Sequence, residues 1–194
     1  MGYSDEHIAR KRADIIECAG QLMREHGYEG VSIGQIMKAT GSTHGGFYAH
    51  FDSKESLFDA VVSEQFDFVT QIKGLAEKGL PESKHLNFAI EQYLNPERIE
   101  QIGKSCTMAS SAVDIAGRSK TAKRGFTNAF LQLVDEFQSR IKGRTRVKRE
   151  AALASIALSV GALVLSRAMS DHDLIVELLD SASMQAKQIV SDAG

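Results

Sequence analysis

The side chains best suited to chemistry gather in one stretch of the chain. Tyr48, His50 and Lys54 bring a hydroxyl, an imidazole and an ammonium close together in sequence. All three are groups that meet phosphate oxygens well. Thr43 and His44 add donors and acceptors just upstream, and Gly45 and Gly46 leave the backbone beside them bare. Such a surface grips a polyanion; it does not cleave bonds. Elsewhere the sequence shows no nucleophile paired with a base, no phosphate-binding glycine loop and no metal-ligand spacing. His85, His172 and Asp173 do not make a metal set. The residues therefore predict no catalytic group, no metal and no cofactor, and they argue against an enzyme with an apolar active site.

Overall charge limits how a polyanion is held. The formal net charge is −2, so any nucleic-acid contact must come from a local patch. Near the N-terminus Asp5, Glu6, Asp14 and Glu17 offset Arg10, Lys11 and Arg12. Lys142, Arg144, Arg146, Lys148 and Arg149 form a basic stretch that reads as a solvated turn, with a second nucleic-acid contact as the alternative. Two cysteines, Cys18 and Cys106, do not make a disulfide framework. The first residues are polar and lack a signal-peptide core. The apolar run from Leu153 to Leu165 contains Ser155, Ser159 and Gly161 and reads as a buried helix too short for a bilayer. A cytoplasmic protein with no membrane partner is expected.

The elements that position these groups are helices. Two prolines, no tryptophan and abundant Ala, Leu, Glu, Lys, Gln and Arg predict an all-α fold. Ile8, Ile15, Ala19, Leu22 and Met23 recur at helical spacing from Asp5 to His26, and Gly27 closes that helix. Ser32 caps a short helix through Ala39, Gly41 makes a tight turn, and Ser42 or Thr43 caps a second short helix ending near His50 and Phe51. Phe47 and Phe51 read as core. Short helix, glycine turn, short helix is the helix-turn-helix pattern, in which the first helix braces the second against the major groove. A long helix follows from Ser53 to Lys78 with Leu57, Val61, Phe68, Ile72 and Leu75 on its stripe, and Gly79-Leu80-Pro81 stops it. Further helices are predicted over Glu82–Leu94, Pro96–Ala116, Lys120–Lys142, Arg146–Met169 and Asp171–Ser191. The division expected is 1–52 for the helix-turn-helix domain and 53–194 for a helical ligand-binding and dimerisation domain.

Residues Arg12 to Val61 resemble the TetR family of regulators. The matching residues are Ile15-Ile16-x-x-Ala19, Gly27-Tyr28, Val31-Ser32, Ile36, Gly41, Phe47-Tyr48-x-His50-Phe51 and Ser53-Lys54-Glu55-x-Leu57. The spelling Gly45-Gly46-Phe47-Tyr48-Ala49-His50-Phe51 is similar to that of one branch. The segments Cys106–Ala112 and Gly161–Ala168 resemble the same branch more weakly. The resemblance implies a repressor that binds a palindromic operator in double-stranded DNA as a homodimer and is released by a small-molecule inducer or an oxidant or electrophile. It places Tyr48, His50 and Lys54 on phosphates, Thr43, His44 and Gly45 at bases, and Ser32 at a phosphate through its hydroxyl and amide. His44 alone leaves three roles open: base, phosphate or solvent. Gly34 departs from relatives with a long polar residue there, so a base contact from the supporting helix is not expected. Gly34 and the weak local charge keep an alternative alive, a helical adaptor or binding protein with a degenerate DNA-reading head.

The resemblance also implies a ligand pocket among the middle helices and a dimer sealed by the last two. Candidate pocket residues are Phe88, Tyr93, Met108, Phe126, Phe130, Phe137 and Met169; each could equally be plain core. Ala157, Val160, Gly161 and Val164, with Leu174 and Leu178, are the predicted dimer surface, against packing within one subunit as the alternative. Cys106 stands near a predicted helix N-terminus, with Lys104 and Arg98 close in sequence, a setting that favours thiolate. It is the redox candidate, and a small residue filling a helix junction is the other reading. Cys18 reads as core.

Overall fold

A computed structural model describes residues 5–64, 72, 74, 79–98 and 106–193. These are helical throughout, with no strand among them. The α-helices are α1 (Asp5–His26), α2 (Ile33–Ala39), α3 (Lys54–Glu64), α4 (His85–Tyr93), α5 (Thr107–Ala116), α6 (Lys120–Arg140), α7 (Thr145–Arg167) and α8 (His172–Asp192). Short 3-10 helices span His44–Ala49, Glu82–Lys84 and Pro96–Arg98.

The chain divides into two compact units. One holds residues 1–65 and 102–127, the other 66–101 and 128–194. This does not coincide with a cut at 52/53. In the first unit α1 packs against α2, α3 and α5, so α3 and α5 share a core with the helix-turn-helix. Polar groups reinforce that grouping: Arg24 Nη1 donates to Thr107 Oγ1 at 3.1 Å, and the Tyr28 amide donates to Asp114 Oδ2 at 3.1 Å. Ile15, Ala19, Ile36, Phe47, Leu57 and Val62 are fully buried in this unit.

In the second unit α7 and α8 form the most extensive helix pair, and α4 also packs on α8. Small residues on the inner faces, Ala152, Ala162, Ala182 and Ala186, are buried. Buried serines close their own polar valences, Ser159 Oγ donating to Ser155 O at 2.8 Å and Ser155 Oγ to Ala186 O at 3.3 Å across the pair. The basic stretch is solvated: Lys142 and Arg144 are exposed, and Arg146 Nε pairs with Glu150 at 2.8 Å on the open face of α7.

Two expected elements change form. The segment Pro96–Ala116 is not one helix: Pro96–Arg98 is a 3-10 turn, and Cys106 has extended backbone (φ −62°, ψ 121°), so α5 starts at Thr107; residues 99–105 lie outside the described ones. Pro81 likewise leads into a 3-10 turn before α4, as a residue lacking an amide hydrogen suits a helix start. Of the predicted helix Ser53 to Lys78, α3 covers Lys54–Glu64 and Ile72 is fully buried, whereas Phe68 and Leu75 lie outside the described residues. α7 runs 23 residues, long and apolar enough by length and composition to cross a membrane, which exceeds the Leu153–Leu165 stretch read from sequence. Its first turns carry Arg146, Lys148, Arg149 and Glu150, and its inner face is packed on α8.

Candidate nucleic-acid interface

The supporting helix α2 is fixed at both ends. Ser32 and Gln35 form a reciprocal cap: Ser32 Oγ accepts from the Gln35 amide at 3.2 Å, and Gln35 Oε1 accepts from the Ser32 amide at 2.8 Å. At the other end Lys11 Nζ donates to Thr40 O at 2.7 Å, placing a cation on the negative end of the α2 dipole. Gly41 then takes φ +63°, a conformation that a side chain strains, and turns the chain. From sequence Gln35 does not stand out, and Lys11 is only one of the local cations. The Ser-x-x-Gln spacing at 32–35 was a readable cue for the first; the second depends on a contact 29 positions away.

The second helix of the motif is a 3-10 helix, not an α-helix. Thr43 is its N-cap, with Oγ1 accepting from the Gly46 amide at 3.3 Å. Phe47 is completely buried and Phe51 nearly so, and these two rings pin the segment to the core. The exposed residues are Thr43, His44, Gly45, Tyr48 and Ala49. Tyr48 is 56% exposed, a large value for an aromatic side chain. The His44 and Tyr48 rings meet edge-on at 5.9 Å between centroids, so they make one outward feature. A Cβ at Gly45 would meet nothing within 4 Å, and one at Gly34 only Ser32 Oγ at 3.9 Å and His44 Cδ2 at 4.0 Å. The surface beside His44 is therefore open, and Gly34 leaves it so.

His50 and Lys54 are more enclosed than the motif alone implies. His50 is half-buried, and its Nδ1 is buried without a hydrogen-bond partner. Lys54 donates to Tyr28 O at 2.5 Å and lies 4.2 Å above the Tyr28 ring centroid. Burial pulls the Lys54 ammonium below the usual lysine range, with Glu29 acting in the opposite direction. On the same ring Arg118 stacks at 3.8 Å, and Phe58 meets it edge-on at 4.9 Å. The family resemblance includes Tyr28 but gives no cue to Asp114 and Arg118, which reach it from α5 and the turn after it.

The remaining candidates divide between the two units. Met108 is buried and Phe126 half-buried in the first unit; Phe88, Tyr93, Phe130 and Met169, partly exposed, and Phe137, buried, belong to the second. Cys106 is the N-cap of α5, a half-buried free thiol whose carbonyl accepts from Ser110 N at 3.2 Å. Lys104 and the Arg98 side chain lie outside the described residues. Cys18 is only half-buried, at the α1–α2 junction with Sγ 3.9 Å from Ile36 O, and burial pushes its thiol up. Ala157, Val164 and Leu174 are exposed, and Val160, Gly161 and Leu178 partly so. No cluster of three metal-ligating side chains occurs among the described residues.

Residues 15–61 match the family model described as bacterial regulatory proteins, tetR family. They form a head of the tetR type. The HTH-type transcriptional repressor AcnR of Corynebacterium diphtheriae is 34% identical over 79 residues, 41% of this chain and 40% of that protein. The chain thus spans well under half the length of these AcnR relatives. A regulator of Lactococcus lactis described as an uncharacterized HTH-type transcriptional regulator in the lacX 3′ region is 21% identical and extends over 90% of this chain and 92% of its own length. Among solved structures, reduced Escherichia coli NemR covers 92% of this chain and 96% of its own at TM-score 0.76 and 17% identity. A TetR regulator from Legionella pneumophila covers 97% and 98% at TM-score 0.75 and 19% identity. The tetR-type head is therefore joined to a helical body of the same fold.

Proposed function

We propose that this chain is a DNA-binding transcriptional repressor of the tetR type, not an enzyme, acting in the cytoplasm as a homodimer on a palindromic operator. The observation that carries this reading is the head itself: a capped, braced α2 and a Phe47-anchored 3-10 helix that turns His44, Gly45 and Tyr48 outward. Thr43, His44 and Gly45 read bases in the major groove, while Ser32, Tyr48, His50 and Lys54 meet phosphates. Residues 1–52 serve as the reading head and 53–194 as the ligand-binding and dimerisation body. The spelling Gly45 to Phe51 assigns the head to one tetR branch. The outward faces of α7 and α8, with Ala157, Val160, Gly161, Val164, Leu174 and Leu178, pair with those of a second copy. Two-fold symmetry then sets the reading elements about 34–36 Å apart, one turn of DNA.

Release requires a signal that favours the DNA-incompetent arrangement. We assign it to a small molecule, with Met108 and Phe126 as candidate residues in the first unit and Phe88, Tyr93, Phe130 and Met169 in the second, or to oxidation or alkylation of Cys106. The second route is supported by Cys106 being a free thiol, only half-buried, at the cap position of α5. Binding of the full chain to duplexes selected from a random pool, followed by fluorescence anisotropy, tests the core reading. Tight, salt-sensitive binding that Tyr48→Ala weakens is expected. No selected duplex at low salt would favour the helical adaptor instead. Retention of peroxide- and quinone-driven release in Cys106→Ser removes the redox route.

A further inference from the structure

Tyr28 is held in the first unit by both its backbone and its ring. Gly27 takes φ +72° at the end of α1 and aims the Tyr28 amide at Asp114 Oδ2, 3.1 Å away on α5. The Arg118 guanidinium lies on one part of the ring system at 3.8 Å and the Lys54 ammonium at 4.2 Å. Arg118 is itself anchored, with Nη2 2.5 Å from Glu29 Oε1 and its amide donating to Ile115 O at 3.0 Å. Finally, Lys54 Nζ donates to Tyr28 O at 2.5 Å. Thus α5 and the turn after it hold one residue by backbone and ring, and that residue holds a lysine of the DNA head.

We propose that Asp114 and Arg118 are positioning residues for DNA binding, acting through Tyr28 to set the Lys54 ammonium. This rests on the DNA-binding reading above and deepens it. An ammonium carries three donors. One is spent on Tyr28 O, and the direction of the other two follows from that bond and from the ring beneath. A lysine whose ammonium is already held by a carbonyl meets a phosphate with less rotamer freedom to lose than a free one. Asp114 is 86 positions and Arg118 89 positions from their partners in the head, so the arrangement gives α5 a direct hold on a phosphate contact without either residue touching DNA.

Full-length wild type, Lys54→Ala, Arg118→Ala, Arg118→Lys, Asp114→Ala and the Lys54→Ala/Arg118→Ala double variant are compared on the duplex selected by wild type, across a salt series. Lys54→Ala should weaken binding on the order of tenfold and reduce the salt slope by about one. Arg118→Ala and Asp114→Ala should weaken binding and flatten the slope in the same direction, and the double variant should bind no worse than Lys54→Ala alone. Arg118→Lys, which keeps the charge but loses the planar stack, should not restore affinity. Unchanged binding by Arg118→Ala, full additivity in the double variant, or complete rescue by Arg118→Lys would each overturn the proposal, the last two by showing that Arg118 acts as an independent charge. If wild type selects no duplex, the DNA-binding reading falls first and this proposal with it.

Discussion

The first unit and the α7–α8 pair are held together by different forces. In the first, long-range polar contacts join helices: Arg24 to Thr107, Tyr28 to Asp114, Arg118 to Glu29 and Lys11 to Thr40. In the second, Ala152, Ala162, Leu163, Leu179, Ala182 and Ala186 pack with serines that satisfy themselves on nearby carbonyls. Polar contacts are directional, so they specify where a reading surface points; apolar contacts follow area and tolerate sliding. The second arrangement also leaves apolar groups outside. Val164 is 39% exposed, Leu165 54%, Leu174 47% and Met184 59%.

The largest effect on this contrast should come from the apolar anchor of the first unit. Phe47→Ala should cost the head about 3–5 kcal/mol, read by urea unfolding and by loss of DNA binding. A cost under about 1 kcal/mol would mean the polar contacts alone hold the segment, and the contrast would sharpen. Next, an Ala157→Glu/Val164→Glu variant should weaken self-association on the order of a hundredfold by burying charge in the pair surface, while leaving the melting of the monomer little changed. Equal self-association to wild type in sedimentation would remove α7 from the interface. Ser32→Ala should cost about 1 kcal/mol through loss of the α2 cap, with the second unit unaffected. An equal loss in hydrogen-exchange protection across α7 and α8 would show that the two regions are not separable. The smallest effect concerns acid. Arg118 holds the Glu29 carboxyl below its ordinary value, chiefly by hydrogen bonding. Its contribution is therefore present above the unfolded glutamate pKa, about 4.3, and disappears as pH falls through the depressed folded value. Tyr28 and Asp114 amide exchange should rise in that acidic window and not in Glu29→Gln, which lacks the titration.

The helices of the head were readable because their determinants are local. Gly27 and Gly41 both take positive φ where the sequence has a helix end or turn, and Thr43 caps three residues before the amide it serves. Phe47 and Phe51 followed from spacing alone. The reach of Lys54 did not, because its partner is the carbonyl of a residue 26 positions earlier whose orientation is set from α5. Sequence shows a cation there but not its first engagement. The same holds for Pro96 to Ala116, where composition favours a continuous helix and the extended backbone at Cys106 makes α5 start at Thr107.

The 3-10 winding of His44–Ala49 fixes a rotational relation between the outward side chains. At three residues per turn each step advances 120°, against 100° in an α-helix. From His44 to Tyr48 the difference accumulates to about 80° around the axis. Rewinding this one segment to α-helical pitch would swing the Tyr48 hydroxyl by nearly a quarter of a turn relative to the imidazole, and shorten the segment by about 0.5 Å per residue. A groove that demanded the α-helical phase would thus be met by a twist of six residues, with the Phe47 ring as the pivot that must rotate in place.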